Sequence, residues 1–341
     1  MIKKLAIILA AVILSGMLGI NASAELSDEA VGLKFSDLAT VFVRATDDEG
    51  NVYYEGYKRQ GSAGYFFKAD KDNNIRASYA LPANAASLKA KVTDESVYLL
   101  YAELNGIRST GVKCTVLDKN LKNTASYDFS SLVKDPSLID VTDGRVCYAV
   151  DSKLYLTDFS AKGKILLMDL NNEKPNNFQG IALTGDYAAF YAKGMGEPVR
   201  TGSTTYGTSV NYYGTVELKT GKTNIEQKDD VSFPRAYGDK IIWRNMPGLN
   251  ALGNRQVPAT EEIVTFADGK FSKTKTKTNY GNQFIYESFD AVIDSEGRIV
   301  TCLKNPDTNS ATIRVYENGS CVKEFSKTLP AAGNAGAWST T

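Results

Sequence analysis

A chain of 341 residues that sets 39 Lys and Arg against 39 Asp and Glu offers no global field to draw nucleic acid or an anionic membrane. It contains no histidine, which excludes a Ser-His-Asp triad, a Cys-His dyad, a His-ligated zinc site and a histidine general base. Its four cysteines, Cys114, Cys147, Cys302 and Cys321, show no C-x-x-C spacing and are too few for a disulfide framework in a chain this long, so they read as buried free thiols within strands.

The first 24 residues carry the order of a secretory signal peptide: Lys3 and Lys4, an unbroken apolar run from Leu5 to Leu14, and a small-x-small site ending at Ala24. The run falls short of the ~20 apolar residues that span a bilayer. Cleavage is therefore expected after Ala24, giving a secreted, extracellular, bacterial protein. Its removal takes away two Lys and no acid and leaves the mature chain at −2. Later stretches are too short and polar to cross a membrane, so no membrane span is expected after cleavage. Residues 25–38 form an N-terminal segment ahead of the first repeat.

From residue 39 a unit recurs: a short strand (a), a polar turn, a strongly apolar strand (b), a variable loop, a third strand (c), a tight turn and a polar strand (d). Strand b begins near residues 51, 96, 145, 187, 240 and 298, so the unit recurs every 42 to 58 residues. The copies span about 39–81, 87–129, 138–170, 180–227, 233–277 and 289–327. Asp143-Gly144, Thr220-Gly221, Asp268-Gly269 and Asn318-Gly319 supply the positive φ angles that two-residue hairpins demand, so neighbouring strands are expected to be antiparallel.

The b strands are apolar at nearly every position, as in Val97 to Ala102 and Ile299 to Leu303. A half-buried strand alternates apolar and polar, so these must be covered on both faces. The d strand Phe271 to Lys277 alternates with Lys and fits a solvated outer edge that resists pairing with other chains. Together these features predict an all-β fold, a β-propeller of about six four-stranded antiparallel blades forming a single domain over 39–341. The pattern over 39–327 resembles the secreted bacterial propellers with WD40-like or TolB-type repeats, although the Trp-Asp dipeptide of true WD repeats is absent. The resemblance implies an interaction platform and no particular ligand. Leu329 to Trp338 repeats the linker after the first copy. It either leads Ala337 to Thr341 back to pair with an N-terminal strand, which is favoured, or begins a further blade of a longer protein.

Two b–c loops interrupt the repeat, 193–212 and 244–260. They belong to neighbouring copies, and loops of this length in compact domains often carry function. Arg200, Tyr206, Tyr212, Trp243, Arg244 and Arg255 are their candidate binding residues, suited to a protein or glycan ligand through hydrogen bonds and ring stacking. No catalytic residue, cofactor or metal ligand is assigned. Asp70 to Asn74 opens like a calcium loop but has Ile75 where glycine belongs and Leu81 where the bidentate Glu belongs, so it reads as a solvated turn. The expected function is a secreted, non-catalytic, monomeric binding propeller that takes neither nucleic acid nor membrane. The alternatives are a carbohydrate-active enzyme, a polysaccharide lyase or glycosidase working through carboxylate, Tyr or Arg chemistry, and the scaffold portion of a longer surface protein. Glu197 and Glu262 are carboxylates near the loops without a motif around them.

Overall fold

The computed structural model describes residues 33–34, 37–38, 40–47, 49–58, 64–70, 72, 74–170, 175–201, 204–206, 209–227, 233–243, 260–277, 289–294, 296–305 and 310–328. The expected signal peptide and the 329–341 tail lie outside them.

The chain is a six-bladed β-propeller. Blade 1 contains β1 (Thr40–Thr46), β2 (Val52–Tyr57), β3 (Gly64–Ala69) and β4 (Ile75–Ala80). Blade 2 contains β5 (Ala85–Val92), β6 (Val97–Asn105), β7 (Arg108–Leu117) and β8 (Asn123–Asp128). Blade 3 contains β9 (Ile139–Thr142), β10 (Arg145–Val150), β11 (Lys153–Asp158) and β12 (Ile165–Asp169). Blade 4 contains β13 (Pro175–Leu183) and β14 (Tyr187–Met195), and after a small separate ribbon, β15 (Val199–Thr201) with β16 (Thr204–Tyr206), it is completed by β17 (Ser209–Glu217) and β18 (Thr223–Gln227). Blade 5 contains β19 (Arg235–Tyr237), β20 (Lys240–Trp243), β21 (Thr260–Ala267) and β22 (Lys270–Lys277). Blade 6 contains β23 (Phe289–Ile293), β24 (Ile299–Asn305), β25 (Ser310–Glu317) and β26 (Ser320–Thr328). In every blade the four strands lie side by side in chain order. The chain divides into two compact units, residues 1–136 with 328–341 (blades 1 and 2) and residues 137–327 (blades 3 to 6).

The second strand of each blade is buried along consecutive residues rather than at alternate ones. Val52 to Gly56, Val97 to Ala102, Val146 to Ala149, Ala188 to Ala192 and Ile241 to Trp243 are all inaccessible. Both faces of these strands are therefore covered, as their apolar composition requires. In the first unit one core joins Tyr53, Phe66, Val97, Leu99 and Leu117, spanning blades 1 and 2. In the second unit Cys147, Leu154, Phe178 and Phe190 join blades 3 and 4, while Tyr191, Tyr213, Trp243 and Phe266 join blades 4 and 5. Ile242, Ile263, Ile293 and Tyr316 join blades 5 and 6. The core is thus divided among seams between neighbours. Leu33 and Leu38 of the N-terminal segment pack on blade 1.

The turns are closed by side chains as well as by backbone. Asp47, Asp70, Asp118 and Asp294 each donate their N–H to the carbonyl four residues on. Each accepts that residue's N–H on its own Oδ1, at 2.9 Å in all four cases. Thr93 and Thr184 do the same over three residues with their hydroxyls. Burial alone would raise the Asp70 carboxyl. The N–H donors of Asn74, Arg76 and Asp72 outweigh it and leave the group below its ordinary value. Asp70 is thus the acceptor of a turn, as its sequence context suggests. Asp143-Gly144, Asp268-Gly269 and Asn318-Gly319 hold positive φ at both residues.

The structure corrects the sequence reading in three places. Residues 103–111 are not a loop: β6 and β7 pair to Asn105 and Arg108 and turn tightly at Gly106, leaving Ile107 97% exposed. Cys114 and Cys147 are buried, but Cys321 is exposed on the outer strand β26. The outer strand of blade 3 is not polar, because β12 presents Ile165 and Leu166 to solvent. Cys302 and Cys321 lie on β24 and β26, with β25 between them.

Candidate functional site: the arm of blade 4

The interruption at 193–212 is a β-arm rather than a loop. β14 and β17 keep pairing beyond the body of the blade, through Lys193 with Asn211, Gly194 with Val210 and Met195 with Ser209. The ribbon of β15 and β16 continues it, with Arg200 opposite Thr205. The local sequence explains this: Val199, Thr201, Thr204, Thr205 and Tyr206 are β-branched or aromatic, the residues that favour a pleated strand.

One face of the arm continues the seam between blades 4 and 5. Alternation along β14 puts Tyr191, Lys193 and Met195 on that face. Tyr191 is buried and donates its hydroxyl to Asn211 Oδ1 at 3.1 Å, which ties the two strands together at the arm's root. Phe233, at the entry to blade 5, meets the Tyr191 ring edge-on at 5.6 Å between centroids. It lies over Gly180, where a Cβ would stand 2.2 Å from the Phe233 ring. Phe233 is still 48% exposed, and Met195 further out is 81% exposed. Lys193 and Arg200 are exposed on the same arm. The arm therefore exposes one apolar group, Met195, and two cations, and Phe233 of blade 5 adds a half-exposed ring at its root.

Of the six residues expected from the sequence, Arg200 lies exposed on β15, and Tyr206 lies on β16 with its side chain outside the described residues. Tyr212 is buried within β17. Trp243 is fully buried, its indole N–H donating to the Phe190 carbonyl at 3.1 Å and its ring packed on Tyr213 and Phe271. Trp243 is a core residue, because a side chain inside a seam with its donor satisfied cannot stack on a ligand, and the ring of Tyr212 is buried in its strand. Arg244 and Arg255, with most of the 244–260 interruption, lie outside the described residues. Met195 and Phe233 were not anticipated. The signal that could have found Phe233 was its position opposite Gly180, which requires the fold.

Below the arm, the seam carries carboxylates. Tyr213 is buried and donates its hydroxyl to Glu226, which also pairs with Lys273 at 2.8 Å. Burial first, then the hydrogen bond to Glu226 and the charges of Glu226 and Glu262, push the phenol well above its ordinary value. Glu226 is thus engaged by a phenol and an ammonium. Glu197 is exposed on the arm, and Glu262 sits half-buried on β21 opposite Lys275. Among the described residues, no three His, Cys, Asp or Glu side chains lie close enough to hold a metal ion. No described helix is long and apolar enough to cross a membrane.

No protein-family model and no curated protein matches the chain. Solved structures do match it. The acylaminoacyl peptidase of Pyrococcus horikoshii is 13% identical over 70% of this chain and 39% of its own, with a TM-score of 0.44. The tricorn protease is 9% identical over 85% of this chain and 31% of its own, with a TM-score of 0.47. The β-propeller domain of the Trilobed protease from Pyrococcus furiosus is 12% identical over 70% of this chain and 69% of its own, with a TM-score of 0.39. The chain spans well under half the length of the first two. At these identities the likeness is one of fold, and the six-bladed assignment stands on this chain's own strand order.

Proposed function

We propose that this chain is a secreted, non-catalytic binding propeller that engages a protein or glycan ligand through the arm of blade 4, with the 244–260 interruption of blade 5 as the second part of the same face. The arm carries the reading. It extends a blade beyond its core, at a cost in backbone order, and presents Met195, Lys193 and Arg200 to solvent, with the half-exposed Phe233 of blade 5 at its root. A side chain such as Met195, flexible and apolar, adapts to a partner surface, while Arg donates to carbonyl, carboxylate or sugar oxygens. Such an excursion contributes little to folding, since its exposed groups bury nothing in the blade.

The test compares the mature chain with a variant in which residues 196–208 are replaced by a two-residue Asn-Gly turn, on a glycan array and in pull-down from the organism's own surface extract. Capture should fall at least about tenfold, a loss of about 1.4 kcal/mol, while thermal unfolding stays unchanged. The double variant Met195→Ser, Arg200→Ala should lose part of the same capture. Equal capture by all three chains would remove the arm from the function.

A further inference from the structure

At the root of the arm, β13, β14 and β17 line up three polar side chains on the face turned to blade 5. Lys193 of β14 stands directly opposite Asn177 of β13 on one side and Asn211 of β17 on the other. Opposite residues of an antiparallel pair share a face and hold their Cβ atoms about 5 Å apart, so the three form one cross-strand row. Asn177 and Lys193 are exposed, and Asn211 is half-buried. The next row inward, two residues back along β14 and so about 7 Å away, contains Gly180 and Tyr191. Phe233 covers that row, its ring against Gly180 and edge-on to Tyr191, with nearly half of the residue exposed. A ring and a polar row thus lie side by side, at a separation that one pyranose covers.

The polar row is a row of donors. The Tyr191 hydroxyl donates to Asn211 Oδ1 at 3.1 Å, which turns that carboxamide so that its NH2 group is the one left to act. Lys193 brings an ammonium, with three donors and no acceptor, and Asn177 brings a second carboxamide. Glu226, which shares the inner row through Tyr213, is engaged by the Tyr213 hydroxyl and by Lys273. Glu197 lies past the row, further out on the arm.

We infer that this row and the Phe233 ring form a subsite for one uronic acid residue of an acidic glycan. The inference rests on the reading of the arm and its root as a ligand face, and it selects the glycan over the protein ligand. The sugar carboxylate takes Lys193 and Asn211 Nδ2, the Asn177 amide meets a ring hydroxyl, and the C–H face of the sugar lies on Phe233. Charge and shape together choose this occupant. A carboxylate accepts from the ammonium and the amide at once, in charge-assisted bonds, whereas a neutral sugar leaves the ammonium without a counter-charge. An Asp or Glu side chain of a protein would satisfy the row but offers too little apolar surface to cover the ring. A uronic acid carries its carboxylate at the edge of the pyranose, so one residue reaches both.

The test is calorimetric titration of the mature chain with oligosaccharides of galacturonate, of mannuronate and of a glucuronate-containing repeat, each beside its carboxyl-reduced counterpart. At least one acidic oligomer should bind, and its reduced form should bind at least about tenfold more weakly. Lys193→Gln and Phe233→Leu should each weaken binding at least about tenfold with the melting temperature unchanged. Lys270→Gln removes the same charge from the exposed start of β22 and should leave binding as it was. The chain with 196–208 replaced by the Asn-Gly turn keeps all four subsite residues and should still bind the oligomer, which separates the two readings. If that replacement abolishes capture from the surface extract while no acidic oligomer binds the intact chain, the subsite is overturned and the arm is left with a protein partner. The subsite is equally overturned by equal binding of the reduced oligomer, by binding indifferent to Lys193→Gln or to Phe233→Leu, or by an equal loss in Lys270→Gln, which would reduce the attraction to bulk charge. An acidic oligomer bound alike by the intact and the shortened chain, with extract capture unchanged, removes the outer arm from the function and keeps the subsite.

Discussion

Asp140 is the residue on which two blades of the second unit lean most directly. It is a buried carboxylate in the innermost strand of blade 3. Its Oδ2 accepts the Leu183 backbone N–H of blade 4 at 2.7 Å, and its Oδ1 accepts the Val141 N–H at 3.0 Å. Arg145 adds a second tie between the same blades by donating to the Gly185 carbonyl at 2.6 Å. A buried carboxylate is tolerated when hydrogen-bond donors replace the water it has lost. Removing the carboxylate takes away the acceptor that blade 3 offers to the buried Leu183 N–H. Asp140→Ala should therefore destabilise the protein by about 2–3 kcal/mol. Asp140→Asn keeps an acceptor oxygen and should lose less than half of that. Urea unfolding checks both, and equal losses for the two variants would show that the charge, not the acceptor, matters here.

At the scale of the strand, glycines show where the packing has no slack. A Cβ on Gly111 of β7 would stand 2.6 Å from the Ser130 Cα, which is backbone. A Cβ on Gly180 of β13 would meet the Phe233 ring, which is half exposed and can turn away. Gly111→Ala should cost about 1–3 kcal/mol by overpacking, and Gly180→Ala clearly less, in the same urea titration. The reverse order would mean that Phe233 is held more firmly than its exposure implies. This distinction was closed to the sequence, where both glycines stand among strand-forming neighbours. What could be read there was the repeat itself. The second strands, apolar on every residue, announced two covered faces, and the Asp-Gly and Asn-Gly pairs marked hairpins that the backbone angles bear out. The hairpin turned at Gly106 and Ile107, with Gly106 at positive φ, leads into Arg108 to Gly111, which lacks an apolar pattern. That hairpin is held by pairing outside the core, where side-chain polarity says nothing. The arm at 193–212 was hidden for the same reason. Trp243 shows the opposite failure: an aromatic beside a long loop suggests a ligand, while three-dimensional packing makes it a seam.

For the molecule as a whole, dividing the core among seams makes each one a large fraction of the stability. A domain is stable by about 5–15 kcal/mol, and in a repeat array that sum is built from contacts between neighbours. The seam between blades 4 and 5 gathers Tyr213, Trp243, Phe266 and Phe271, with ring centroids 5.1 to 5.8 Å apart among the contacting pairs. Trp243 also supplies the donor for the Phe190 carbonyl. Trp243→Ala removes the largest ring of that cluster and should cost about 3–5 kcal/mol. Trp243→Phe keeps most of the apolar contact but loses the hydrogen bond to the Phe190 carbonyl, and should cost about 0.5–1.5 kcal/mol. In a Trp338→Phe background, Trp243 is the sole tryptophan of the chain. Its emission should be blue-shifted and resist acrylamide until the seam opens. If Trp243→Ala cost under about 1 kcal/mol, the blade faces would contribute little beyond their own hydrogen-bonded ladders. Stability would then reside within blades rather than between them, and the burial of whole second strands would need another reason than the seams they form.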